Sequence, residues 1–187
     1  MGPIDVQTAH PGNVVGAAAI AAATGADAAA IEQGIRTAAT LPWRAQPRGT
    51  LAGIPVVDDG MAATPSKAAA TLAAYPDHSV VLIAGGMNNA GGGRVHASPE
   101  ELALLERACD EVARVARVVV LFGEAGPRLA VLLHQRAITT VETNELEDAV
   151  AAAARYAAGA AAVVFSPLFP VTLDDRARFA ALVRRSS

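Results

Sequence analysis

One cysteine, Cys109, stands in this chain of 187 residues, which excludes an internal disulfide and a multi-cysteine metal site. It falls in an expected helix, Leu102 to Arg114, where a free thiol packs as a small apolar group. Lysine is as scarce. Lys67 is the only one, so no second lysine is available as nucleophile, Schiff base or phosphate clamp. Aromatic residues make up 4% against 52% hydrophobic, so the core must come from Ala, Val and Leu. With a net charge of −3 and a pI near 5.8, the chain has no basic footprint for nucleic acid or anionic lipid. The Ala-rich run Val14 to Ile31 lacks a basic leader and is broken by Thr24, Gly25 and Asp27, so a soluble cytoplasmic protein is expected.

Several chemical signatures are also missing. No G-x-x-x-x-G-K-[ST] phosphate loop occurs. Gly85-Gly86 lacks the G-x-G-x-x-G spacing, and Gly91-Gly92-Gly93 runs into Arg94-Val95-His96 instead of a helix start, so both read as loop. His10, His78, His96 and His134 are scattered without ligand spacing, and Ser166 is not in a G-x-S-x-G elbow.

What remains is an alternation. After a loose start, Met1 to Pro11, Gly12-Asn13 opens an Ala-rich helix ending near Gly25, and Asp27 caps a second helix through Arg36. Leu41 to Gly49, with two prolines, reads as a connector. Strands are expected at Ile54 to Asp58, Ser79 to Ala84, Arg117 to Phe122, Ala137 to Val141 and Ala161 to Ser166. Between them lie helices from Thr64-Pro65 to Tyr75, from Ser98-Pro99-Glu100-Glu101 to Arg114, from Gly126 to His134 and from Glu145 to Tyr156. A last helix runs from Leu173 to Val183.

The alternation predicts one α/β domain over 1–187: a Rossmann-like, mainly parallel sheet with helices on both faces over 49–187, preceded by a helical pair and connector over 12–48. Ligands then collect at the strands' carboxyl ends, at Asp58-Asp59-Gly60, Gly85 to Asn89, Phe122-Gly123-Glu124 and Ser166-Pro167. Asp58 and Asp59 can bind an amine or Mg²⁺, or cap the next turn. Adjacent side chains on a strand end point to opposite faces.

Read in order, Asn13, Leu41-Pro42-Trp43-Arg44, Asp58-Asp59-Gly60-Met61-Ala62-Ala63-Thr64, Gly85-Gly86-Met87-Asn88-Asn89 and Ser166-Pro167 form a recognisable series. From Gly12 to Val183 the chain resembles the C-terminal domain of the Mur ligases, in particular the branch that adds glutamate to UDP-N-acetylmuramoyl-alanine. The resemblance implies a Mur-type α/β fold, with Arg44 facing ATP phosphates and Asn13 also on the cofactor side. Asp59, Met61, Ala63, Asn89, Ser166 and Thr172 fall at substrate-binding positions. The departures are pointed: Met61, Ala63 and Asn89 stand where the family has a lysine, a threonine and a lysine for the incoming glutamate, and Leu168 to Thr172 replaces a Ser-rich loop. Losing two cations and a hydroxyl removes the partners of a side-chain carboxylate. That implies a variant branch, a different amino acid or a decayed site.

Mur-type ligation forms an acyl phosphate from a carboxylate and ATP, which an amine then attacks. It needs a phosphate cradle, Mg²⁺ and cations. The resemblance therefore implies an amino-acid-substrate domain that meets ATP and Mg²⁺ only through a central domain, in cis or in trans, and binds none alone. Two other readings stand beside it: a stand-alone non-catalytic binding or accessory protein, and an unrelated Rossmann-like nucleotide binder.

Overall fold

The computed structural model describes residues 11–38, 41–88 and 98–186. Of the loose start expected over Met1 to Pro11, Met1 to His10 lie outside the described residues, as do Asn89 and the Gly91 to His96 loop, while Pro11 is already the first residue of a helix. The chain divides into two compact units, Met1–Pro42 and Trp43–Ser187.

The first unit holds helices α1 (Pro11–Ala23) and α2 (Ala28–Thr37). Gly25, at φ +95°, turns the chain between them where an L side chain would be strained. Asp27 caps α2, its Oδ1 accepting from the Ala30 amide at 2.8 Å. No residue of α2 is buried, and Val15 and Ile20 of α1 are each 68% exposed.

The second unit carries β1 (Gln46–Leu51), β2 (Ile54–Asp58), α3 (Pro65–Leu72), β3 (Val80–Gly85), α4 (Pro99–Val115), β4 (Ala116–Phe122) and α5 (Gly126–His134). It closes with β5 (Thr140–Glu142), α6 (Leu146–Tyr156), β6 (Ala162–Leu168) and α7 (Leu173–Ser186). The sheet order is β1-β2-β6-β3-β4-β5, with every pair parallel except β1–β2. Parallel pairing requires crossovers, and helices α3 to α6 supply them. β3 and β6 are buried along their whole length, as strands covered on both faces must be.

One face of the sheet packs against α6 and α7. Val81, Ile83, Val120, Phe122, Val163 and Phe165 cluster there with Leu146, Val150, Phe179 and Val183. The alternate residues Val80, Leu82, Val119, Leu121 and Val164 are equally buried, on the side of α3, α4 and α5. Three of the four phenylalanines meet in one cluster: Phe165 stacks on Phe179 with centroids 4.3 Å apart, and Phe122 lies tilted 6.0 Å from Phe165.

The sequence reading needs correction at three places. Leu41 to Gly49 is a connector only as far as Ala45. From Gln46 it is β1, which turns back antiparallel onto β2 through Ala52-Gly53, at φ +50° and +80°. Both central residues lie in the left-handed region, which is the two-residue hairpin turn that matches strand twist. Pro47 is tolerated because β1 is a sheet edge. β5 begins at Thr140 instead of Ala137, since Gln135 to Ala137 form the turn leaving α5. β6 continues past Ser166 to Leu168, with the register to β3 shifting between Ile83 and Gly85.

Candidate functional site

From β3 the chain winds outward to β4 and β5, then β6 returns to the other side of β3. The helices that follow β3 and β6 therefore cover opposite faces. In α/β sheets such a reversal, at the carboxyl ends of the two strands, is where ligands collect.

Backbone contacts join the loops around it. The Met87 amide donates to the Pro170 carbonyl at 2.9 Å, Gly86 N–H to Phe122 at 3.1 Å, and Ala125 N–H to Gly86 at 3.0 Å. A Cβ on Gly85 would sit 1.9 Å from the Phe122 carbonyl oxygen, and one on Gly86 would sit 2.5 Å from that of Pro170. These glycines are needed for close backbone approach. The amides of Gly86, Met87 and Gly123 already donate to carbonyls, so they form no phosphate-binding nest.

Asp58 ends β2 and Asp59 follows it, and their side chains diverge, as alternation demands. Asp58 is fully buried; it accepts from Gly60 N–H at 3.0 Å and from Arg48 Nε at 2.9 Å across the hairpin. Asp59, 5% exposed, accepts from Ala45 N–H at 3.1 Å and from the Ser166 hydroxyl at 3.3 Å. Burial raises both carboxyls above the ordinary range. It outweighs the Gly60 amide and Arg48 for Asp58, and Thr71, the Ala45 amide and Ser166 for Asp59. Tyr75 Oη is buried with no hydrogen-bond partner among the described residues; burial, then the nearby Asp59 charge, raises its pKa.

The same network fixes the loop before β1. Met61 N–H donates to the Trp43 carbonyl at 3.0 Å, Trp43 N–H donates to Gln46 Oε1 at 3.2 Å, and the Arg176 guanidinium lies 5.9 Å from the Trp43 ring centroid. Asp59, Met61, Ser166 and the Arg44 backbone thus belong to one connected cluster. Arg44 is exposed, while Met61 and Ala63 are half-buried on the β2–α3 turn. Thr172 sits apart, as the cap of α7: its hydroxyl donates to Asp175 Oδ2 at 2.7 Å and accepts from Asp175 N–H at 2.9 Å. Asn13 is exposed on α1 in the first unit, and Asn89 lies outside the described residues.

Sequence reading missed Arg48, Thr71, Tyr75 and Arg176. The β1–β2 hairpin, with its register of Gln46 against Asp58, places Arg48 beside that carboxylate, and Ala52-Gly53 lacks the Asn or Asp that would have signalled the turn. Among the described residues no three His, Cys, Asp or Glu side chains converge as a metal site. The inward bonds of Asp58 and Asp59 do not suit them to Mg²⁺. No helix of the described residues is long and apolar enough to cross a membrane.

This architecture and this sequence both have known counterparts. The chain is 34% identical over 157 residues to UDP-N-acetylmuramoylalanine--D-glutamate ligase of Frankia casuarinae, covering 83% of this chain and 30% of that protein. It is 35% identical over 156 residues to the Rubrobacter xylanophilus enzyme of the same name, covering 83% of this chain and 32% of that one. The chain is a Mur ligase homologue. Solved Mur ligases share its fold. UDP-N-acetylmuramate-alanine ligase MurC of Thermotoga maritima superposes with a TM-score of 0.61 at 14% identity, over 94% of this chain and 37% of that one. MurF of Acinetobacter baumannii gives 0.63 at 15%, over 90% and 37%. No protein-family profile matches. The α/β architecture is that of the Mur ligase C-terminal domain, and this chain spans about a third of the length of the curated Mur relatives it matches.

Proposed function

We propose that this chain is the amino-acid-substrate domain of a Mur-type, ATP-dependent ligase of peptidoglycan-precursor type. Its cytoplasmic partner, in cis or in trans, is a domain carrying the phosphate loop. The observation that carries the reading is the connected cluster at the carboxyl ends of β2 and β6, where Asp59, itself bonded by Ser166, and Met61 hydrogen-bond the loop that presents Arg44. Arg44 is exposed, and a planar fork of that kind suits phosphate oxygens brought by the partner. ATP and Mg²⁺ would supply carboxylate activation. This chain's own part is to seat the amino acid and to complete the charge around the phosphates.

The residues facing the amino acid favour a neutral or apolar side chain. Met61 and Ala63 offer no cation or hydroxyl, and the Thr172 hydroxyl is engaged with Asp175. A decisive assay combines the purified chain with the phosphate-loop-bearing remainder of a relative, UDP-N-acetylmuramoylalanine, ATP and a panel of amino acids, and reads ADP release and amide formation. The chain alone is expected to give neither. Amide formation by the chain alone, or no gain over the remainder alone with any amino acid, would reject the reading.

A second reading, a non-catalytic binding protein, is favoured by one observation: both β2 carboxylates already hold internal donors. A melting-temperature rise with an amino acid or precursor, without turnover in the completed assay, would select it.

A further inference from the structure

Two left-handed residues flank Arg44. Trp43 has φ +59° and Ala45 φ +44°, although neither is glycine, and a bulky side chain in that region is a backbone outlier. Such strain persists only where surrounding contacts over-determine the conformation. Here they do. Ala45 N–H is held by buried Asp59, the Trp43 carbonyl by Met61 N–H, and the Trp43 amide by Gln46.

The remaining hold comes from the far end of the chain. Arg176, in the first turn of α7, lies over the Trp43 ring at 5.9 Å, within the range of a cation–π contact. Its Cγ would lie 3.2 Å from a Cβ on Gly60, so its stem is seated against the β2 turn. Its Nε is buried without a hydrogen-bond partner, and it makes no ion pair among the described residues. Arg176 is half-buried and its charge also reaches Asp58, but its guanidinium carbon lies over the indole and not on a carboxylate.

We propose that Arg176 and Trp43 are positioning residues that hold the strained 43–45 loop so that the Arg44 fork is presented to a polyphosphate anion. This rests on the reading of Arg44 given above. Neither residue needs to touch the anion. They act through the loop, and α7 thereby links the amino-acid side of the site to the phosphate side.

Trp43 is the sole tryptophan, so its emission reports the loop directly. The test compares wild type with R44Q, R176M, R176K, W43A and the double variant R176M/W43A. Calorimetry at low salt measures affinity for inorganic tripolyphosphate, and acrylamide quenching follows Trp43 where it is present. Arg176→Met keeps the stem against Gly60, and Trp43→Ala removes no charge. R44Q should abolish binding with Trp43 emission unchanged. R176M and W43A should each weaken binding about tenfold, with the double variant no weaker than either alone, because residues acting as one unit are not additive. R176M should raise quenching, and R176K should restore most of the affinity. Wild-type affinity in W43A, or additive losses in the double variant, would overturn the positioning role while leaving the Arg44 reading intact. A wild type with no Arg44-dependent binding would overturn both.

Discussion

Asp59 draws together the 43–45 loop, α3 and β6 through donors from Ala45, Thr71 and Ser166. Its folded pKa is raised, so the folded state binds its proton more tightly than the unfolded chain does. Stability from this group is therefore fully present below the ordinary value of 3.8 and is lost as pH rises from there through the raised folded value. D59N abolishes that titration. Chemical denaturation across acid pH should show wild type losing stability relative to D59N as pH rises through the window, then running parallel to it; a flat difference would show that Asp59 does not titrate this way. Asp58 is different because its charge has a partner. Arg48→Ala leaves a fully buried carboxylate without its ion-pair partner and with the Gly60 amide as its remaining donor, so a loss of about 3–5 kcal/mol is expected near neutrality. The deficit should shrink as acid protonates Asp58, which the same denaturation series measures. Cys109, buried in α4 with its thiol pushed up to about 11 by burial, should resist alkylation until the protein unfolds.

At the scale of elements, helix starts were written locally. Ser98 and Glu101 form a reciprocal capping box with Pro99 in the first turn of α4. Thr172 and Asp175 repeat the device at α7. Thr172→Ala should cost about 1 kcal/mol of stability, read as a lower denaturation midpoint with unchanged slope. β1 was illegible for a physical reason: its edge position leaves an irregular burial pattern and admits Pro47, and the turn that defines it contains Ala52 in place of the expected Asn or Asp. Ala52→Asn should stabilise the hairpin by about 1 kcal/mol, since asparagine tolerates the left-handed region better. Gly85→Ala should be far worse, beyond about 4 kcal/mol, because the new Cβ meets a carbonyl of the neighbouring strand and not a yielding side chain.

For the molecule as a whole, the glycine-rich strand ends bind one another, and the inward carboxylates are already satisfied. Among its described residues the second unit therefore offers a formed surface without a phosphate cradle of its own. At physiological ionic strength, where a lone exposed Arg44 contact is screened, ATP with Mg²⁺ alone should leave the melting temperature unchanged. A completing domain at about 100 times its Kd should stabilise the chain by about 2.7 kcal/mol. Calorimetry of the chain with and without that domain separates the two outcomes.

The sequence alone determined the alternating elements, the buried strands and the order of segments that resembles the Mur ligases, because periodicity, caps and turn residues act over a few neighbouring positions. Tertiary structure alone decided that β6 lies between β2 and β3, that Asp59 and Ser166, 107 positions apart, share a hydrogen bond, and that Arg176 stands over Trp43. Those pairings follow from how crossovers stack across a closed core, which local pattern does not encode.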